Sequence, residues 1–455
     1  MIYRIYVAKD TFITNVQKNR VKQTGSNFGG SETLDLFKKA GTSGAIGVAG
    51  SASLARVLMQ FDFSEISSMT ASGKAPATGT LYTLKLKHAT TRETLPSSYD
   101  VGIVAVSTSW DEGRGLDVDD YNDLGYANWD RAKSNVFWTS IGGDFVTTSS
   151  SSFHFDTGYE DLTVGMSSLV NSWLTGGLQN NGFMIKLTGS IELDSEYNDY
   201  YIKRFYGRTS NFKDRRPYVE ASWDDHVADD RGAMVWGATG SLFMYNKVGG
   251  QLADVSMGAN APIVRIADAS GTLLTLTGSH VGKTGIYSAS FALPTGSYSG
   301  SVFYDRWGSG SFAFMTGTFM LSVDGAVQTN SPSQYVGRVK NLRDEYDVTE
   351  QPRMNIAFRT RDYNPTVVLT ASMSPPYKIV KKSYYAIEND STRERVIPFG
   401  TGSDNVTRLS YDKNGNFFDF YMSTLHPGNV YRIIFLIDED GQKQIVDGGF
   451  KFKVL

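Results

Sequence analysis

Short runs in which apolar and polar side chains alternate with period two recur along this chain, separated by Gly- and Ser-rich stretches. Leu81-Tyr82-Thr83-Leu84-Lys85-Leu86-Lys87-His88 is one such run and Met354-Asn355-Ile356-Ala357-Phe358-Arg359 another. Successive side chains of a strand point to opposite faces, so this pattern predicts half-buried strands. Arg56–Phe63, Phe183–Leu187, Ile263–Asp268 and Tyr431–Ile437 read the same way. Asp438-Glu439-Asp440-Gly441 and Asp412-Lys413-Asn414-Gly415 carry the Asp-Gly and Asn-Gly pairs of tight hairpins. One stretch breaks the pattern. Val164, Met166, Leu169, Val170, Trp173 and Leu174 fall mostly at helical spacing, with Gly176-Gly177 as a stop. The expected fold class is all-β.

Composition supports this and narrows the function classes. There are 46 Gly, 12 Pro, 25 Tyr and 26 Phe, the usage of a turn-rich β chain with aromatic cores. The net charge of −3 argues against nucleic acid as a partner, since that requires a basic surplus. With 0 Cys, disulfide frameworks, thiolate metal sites and cysteine catalysis are excluded. Nothing approaches the roughly 20 apolar residues of a membrane span. Met1–Asp10 has no apolar core of a leader and reads as a strand, so the expectation is a soluble chain without a secretory signal.

At about 150 residues per domain, 455 residues imply roughly three domains. The boundaries are placed at 1–226, 227–330 and 331–455. Asp224–Asp230, acidic and turn-rich, reads as one linker, and Gln328–Ser333 as the other. Residues 227–330 hold 5 bases and 6 acids, 11 charges in 104 residues, about half the density of the whole chain. Its short strands between Gly/Ser turns predict a small immunoglobulin-like sandwich, and 331–455 a second one. A charge-poor, aromatic-rich module suits burial between subunits, against the plainer reading of an uncharged sandwich.

Within 1–226, four features follow in order. Asp10-Thr11-Phe12-Ile13 precedes Ser26-Asn27-Phe28-Gly29-Gly30. Arg56–Phe63 leads to Ser64-Glu65-Ile66. Ser107-Thr108-Ser109-Trp110-Asp111-Glu112 comes third. Trp173–Gly177 then leads to Asn180-Asn181-Gly182, and Arg215-Arg216-Pro217-Tyr218 opens a closing strand. This series resembles the DNRLRE-type jelly-roll domain, a relative of carbohydrate-binding modules. The resemblance covers about half the chain and implies an N-terminal jelly-roll β-sandwich, with Trp110 and Trp173 in its core. The long insert after Trp110 resembles versions found in structural proteins of tailed bacteriophages. It implies a virion component of the tail, neck or baseplate, assembled in the host cytoplasm and released by lysis. Its partners would be other virion structural proteins, in a symmetric homo-oligomeric assembly. Polysaccharide binding by an adhesion protein that recognises a host-surface glycan is the alternative.

Two constellations lie in or beside the insert. Asp111, Glu112, Asp117, Asp119, Asp120 and Asp123 supply the oxygens that calcium prefers. Asp117, Asp119 and Asp123 are the candidate ligands, but the spacing is not that of an EF-hand, and the plainer reading is a solvated loop with no cofactor. Tyr121, Tyr126, Trp129 and Trp138 form a candidate glycan platform; packing into a core is the competing reading. A second cluster, Tyr197, Tyr200, Tyr201, Phe205 and Tyr206 with Lys203, Arg204 and Arg208, suits an acidic polysaccharide but reads better as a strand. The five histidines form no ligand pair, and there is no nucleophile elbow or phosphate loop. The expectation is a chain that is not an enzyme.

Overall fold

The computed structural model describes all residues except 20, 40–51, 93, 119–122, 194–199, 257–260, 295–301, 323–333, 362–376 and 440. The Gln328–Ser333 linker, Tyr121, Asp119, Tyr197 and part of the Asp438–Gly441 turn therefore lie outside the described residues. The protein is an all-β chain of several sandwiches. It divides into two compact units, one of Tyr3–Ser67 and Leu81–Ala221, the other of Met1–Ile2, Ser68–Thr80 and Ser222–Leu455.

The N-terminal unit is built on a ten-stranded sheet. Its main path runs Phe145–Phe155, Tyr99–Val106, Phe183–Leu187, Ser53–Phe61, Ile2–Thr14, Tyr218–Ser222, Leu81–Leu86 and Leu162–Gly165; Thr33–Lys39 pairs with Ser53–Phe61 and Tyr201–Tyr206. Most neighbours are far apart in sequence, so the chain crosses over repeatedly. Trp110 and Trp173 are buried, as the sequence leads one to expect. The expected helix forms at Ser167–Leu174, burying Leu169, Val170 and Trp173. Two more short helices, Ser64–Ala71 and Gly189–Leu193, have no apolar period to announce them. The first does carry a local signal: the Asp62 carboxylate accepts the Ser64 N–H at 2.9 Å, an N-terminal capping contact.

Among the described residues, two large hydrophobic cores lie in the C-terminal unit. One gathers Leu242, Val264, Ile266, Phe303, Trp307 and Phe319. It lies among a three-stranded sheet (Gly240–Tyr245, Ile286–Phe291, Ser279–His280) and a four-stranded sheet ordered Gly271–Thr277, Ile263–Asp268, Phe303–Ser309, Phe312–Phe319. The other gathers Ile356, Phe358, Tyr385, Phe420, Tyr431 and Phe435. Its five-stranded sheet is centred on Gln442–Val454, Val430–Glu439 and Ser383–Asn389. The first residue is part of this unit: the Met1 ammonium donates to Trp223 O at 2.8 Å, Asp225 Oδ1 at 2.6 Å and Val406 O at 2.9 Å.

The acidic run 224–230, expected as a linker, is folded into this unit. Val227 packs with Phe243, Ile286 and Phe417. Asp229 and Asp230 are buried. Arg231 Nη1 meets Asp229 Oδ2 at 2.6 Å and its Nη2 meets Asp305 Oδ2 at 2.7 Å. Asp230 Oδ1 takes Lys381 Nζ at 2.6 Å and the Tyr411 hydroxyl at 3.0 Å. Carboxylates that read as solvated turn residues are thus the partners of specific cations and hydroxyls, which is what makes their burial tolerable.

Candidate functional site

Strand Ser53–Phe61 has fully buried residues on both faces, Val57 and Met59 on one and Leu58 on the other. In a two-layer sandwich one face of such a strand meets the core and the other meets water, so something must cover the second. The cover is the segment 110–138, which carries the acidic insert within it. Trp110, Ala127, Trp129, Ala132 and Trp138 pack with Ile13, Leu58, Val104, Val106 and Met184 in a separate cluster, with Phe145 at its margin. Within the segment the acidic loop stays at the surface: Asp111, Arg114 and Leu116 are exposed, and Asp117 and Asp123 are half-buried. The flanking tryptophans Trp110, Trp129 and Trp138 supply the buried apolar surface that holds this cap down, while the carboxylates keep their water at the rim.

The cap is tied down by residues from the four sequence features. Asn27 is completely buried. Its Nδ2 donates to Glu112 O and Ala127 O, both at 2.7 Å, and its Oδ1 accepts from Gly29 N and Gly115 N, both at 3.0 Å. A Cβ at Gly29 would sit 2.1 Å from Glu112 O, so this position admits only glycine. The Glu112 carboxylate takes both arms of Arg208, at 3.0 and 2.6 Å, and the Asp10 N–H at 2.8 Å. Lys9 Nζ donates to Trp110 O at 2.6 Å, and the Trp110 indole donates to Asn181 O at 2.9 Å.

This arrangement distributes the predicted site residues. Trp129 and Trp138 are 5 % and 4 % exposed and face the sheet as anchors of the cap. Trp138 Nε1 donates to Asn128 O at 2.8 Å, and the Arg56 guanidinium lies 5.2 Å from the Trp129 ring centre. Tyr126 stays at the surface, 41 % exposed. Of the candidate calcium ligands, Asp123 Oδ2 accepts the Arg114 N–H at 2.7 Å and Asp117 is half-buried. Among the described residues no three His, Asp or Glu side chains are grouped to hold a metal ion. The second aromatic cluster is the strand Tyr201–Tyr206. Its Lys203 is fully buried, donating to Gly158 O at 2.7 Å and Glu160 O at 2.6 Å. Burial brings the Lys203 amine down to about 8, against the pull of Glu160 and Asp161. Arg204 is held by Asp35, so with Arg208 on Glu112 these cations are already engaged.

Where the cap ends at Phe145, part of the same sheet face stays open. A cleft of about 330 Å³ lies there, lined by Gly102, Val104, Phe145, Ser150, Ser152 and Lys186 among others. Gly102 pairs with Ser152 on one side and Lys186 on the other, so a side chain is missing from the middle of the floor. Lys186 Nζ lies 2.9 Å from Glu192 Oε2, which also takes Arg56 Nη2 at 2.8 Å. The cleft thus offers serine hydroxyls, one aromatic ring and a charge that is already paired. That set fits an uncharged, hydroxyl-rich ligand. Nothing in the sequence pattern marks this cleft, because its floor is a gap defined by what the cap leaves uncovered.

No family model matches the chain, and no curated protein is similar to it. Among solved structures, a titin immunoglobulin tandem, A164–A165, is similar over 49 % of this chain and 91 % of its own at 11 % identity, with a TM-score of 0.15. The titin domains Z1Z2, solved in complex with telethonin, are similar over 49 % and 89 % at 12 % identity, with a TM-score of 0.14. An E. coli alpha-2-macroglobulin is similar over 86 % of this chain and 21 % of its own at 9 % identity, with a TM-score of 0.15. The strands, sheets and cores described above are therefore what define the chain, and they define it as a multi-sandwich all-β protein.

Proposed function

We propose that this chain is a non-enzymatic structural component of a larger assembly, a tailed-phage particle, in which it serves in the tail, neck or baseplate. The observation that carries the assembly reading is the strand Phe312–Phe319, which forms one edge of its four-stranded sheet. Its sequence, Phe-Ala-Phe-Met-Thr-Gly-Thr-Phe, has no charge and no proline. Phe312 is 64 % exposed and the following Met320 63 %. Edge strands are normally protected by charges, prolines or bulges, and this one has only a bulge near its start. A second copy laid against it would continue the sheet through main-chain hydrogen bonds and cover Phe312. The particle reading rests on the resemblance, the acidic insert after Trp110 included.

In solution the purified chain is expected to self-associate at micromolar concentration. Phe312→Lys combined with Thr318→Lys should shift it to monomer with little change in melting temperature, as read by sedimentation velocity. Quantitative mass spectrometry of purified particles should find the chain at a fixed ratio to the major capsid protein. A monomeric wild-type chain that is absent from particles would end this reading. The cleft beside Phe145 favours a second one, binding of a host-surface glycan. There, Phe145→Ala should weaken binding to a neutral polysaccharide about tenfold by calorimetry, the loss of one aromatic contact. Flat titrations of the wild type against neutral glycans would remove it.

A further inference from the structure

On the strands Ile263–Asp268 and Phe303–Ser309 the inward positions are Val264, Ile266, Phe303, Asp305 and Trp307, all buried. The alternate positions face outward, and there Arg265 stands directly opposite Arg306. Directly opposed residues of an antiparallel pair have Cα atoms only about 5 Å apart. Like charges in that relation destabilise a sheet. Neither guanidinium forms an ion pair with a carboxylate of the described residues. Both reach instead toward one turn: Arg306 Nη2 donates to Ser311 O at 2.7 Å and Arg265 Nη1 to Gly310 O at 3.5 Å. This is the module with the fewest charges per residue in the chain, so two adjacent unneutralised cations there are not a by-product of a densely charged surface.

The neighbours in register complete the picture. Thr275 pairs with Arg265 on one side and Thr316 with Arg306 on the other, making a four-strand row of Thr-Arg-Arg-Thr. Two residues along, on the same face, Tyr304 is 47 % exposed and stands opposite the small side chain of Ala267. Two forked guanidiniums suit planar or tetrahedral oxyanions bidentately. Threonine hydroxyls add neutral donors and acceptors, and an exposed ring beside them offers a stacking surface.

We propose that this outer face of the four-stranded sheet binds an acidic polysaccharide, with Arg265 and Arg306 holding its carboxylate or sulfate groups and Tyr304 stacking on a sugar ring. The threonine row and the open ring on one flat face match the hydroxyls and ring faces of a sugar chain, and the polyglutamate arm of the test separates this from an acidic protein surface. The site is separate from the cleft beside Phe145, where the lysine is already paired, and it does not depend on the assembly reading.

The test is calorimetric titration of the full chain with polygalacturonate, dextran sulfate, neutral dextran and polyglutamate. Binding is expected to one or both acidic glycans, to weaken as salt rises, and to be at least about tenfold weaker for dextran and polyglutamate. Preference between the first two tells carboxylate from sulfate ester. Arg265→Thr and Arg306→Thr should each lower that affinity by about tenfold or more, and the double variant should abolish it. Tyr304→Ala should lower it without changing its salt dependence. The arginine variants also have a readout that needs no ligand: their melting temperature should equal or exceed that of the wild type, because an opposed like-charge pair has been relieved. Wild-type binding to no acidic glycan overturns the proposal. So does equal binding to polyglutamate, or unchanged affinity in folded arginine variants. Because Phe145→Ala should leave acidic-glycan binding intact, failure here is distinguishable from failure of the neutral-glycan reading.

Discussion

Arg231→Ala is expected to destabilise the C-terminal unit by about 3–5 kcal/mol, the cost of removing one partner from a buried ion network. The side chains concerned are 9 %, 3 % and 0 % exposed for Arg231, Asp229 and Asp305. The guanidinium joins both carboxylates, and it also donates to Phe243 O at 3.2 Å. Asp305 Oδ2 accepts in addition from the Trp307 indole at 2.8 Å, so the network is fixed to the aromatic centre of the core. Without Arg231, two carboxyl groups are left in a dry site with no cation between them. Burial already pushes Asp229 up to about 6, against the pull of Arg231. A carboxyl raised in the folded state favours folding at low pH, and that contribution is lost as pH rises through about 6. The variant should therefore lose most at pH 8 and recover part of the loss at pH 5. Scanning calorimetry, which can resolve separate transitions for the two units, is the measurement. Arg231→Lys keeps the charge without the fork and should fall in between. A loss below about 1 kcal/mol for Arg231→Ala would place the network with ordinary surface pairs.

The second large effect belongs to the N-terminal unit. Asp10 is 1 % exposed. Burial raises its carboxyl to about 7, and the nearby Glu112 charge adds to this, while the Arg208 N–H and the Arg208 and Arg216 cations oppose it. Its ordinary value is 3.8, so the folded state holds a proton that the unfolded chain releases. The sign follows directly: this contribution is complete below about pH 4 and is lost as pH rises through about 7. Between pH 5 and pH 8 it amounts to roughly 3 kcal/mol. Asp10→Asn cannot titrate but keeps an oxygen for the Arg208 N–H, now at 2.7 Å from Asp10 Oδ2. Urea unfolding over that pH range should show the slope in the wild type and its disappearance in Asp10→Asn. Equal slopes would mean that Asp10 is ionised throughout.

Strands were legible where one face is wet. Leu81–Leu86 and Met354–Arg359 alternate because alternate side chains meet water, and both are strands. The cap was not legible. Its tryptophans at 110, 129 and 138 have no period, and what they pack on includes Ile13, more than a hundred residues away from two of them. Asp117 and Asp123 dominate the composition there while contributing only to the rim. The 224–230 run misled for a related reason. A carboxylate reads as solvated unless its cation is seen, and Lys381 and Asp305 are remote in sequence from Asp230 and Arg231. The paired arginines at 265 and 306 were equally invisible, since only register places them side by side.

The discontinuity of the C-terminal unit has a consequence for synthesis. Its first two pieces, Met1–Ile2 and Ser68–Thr80, leave the ribosome before any of Ser222–Leu455. The N-terminal unit is complete at Ala221 and can fold while translation continues. The acceptors of the Met1 ammonium, Trp223, Asp225 and Val406, come later, the last only near the end of the chain. At about 5–20 residues per second, the stretch from 222 to 455 takes roughly 12–47 s to make. For most of that interval the Met1 ammonium lacks at least one of these three acceptors, and the second unit cannot close around its first pieces. A nascent chain stalled anywhere in its last third would hold a finished first unit and an unclosed second one, so quality control should recognise this protein by its second unit.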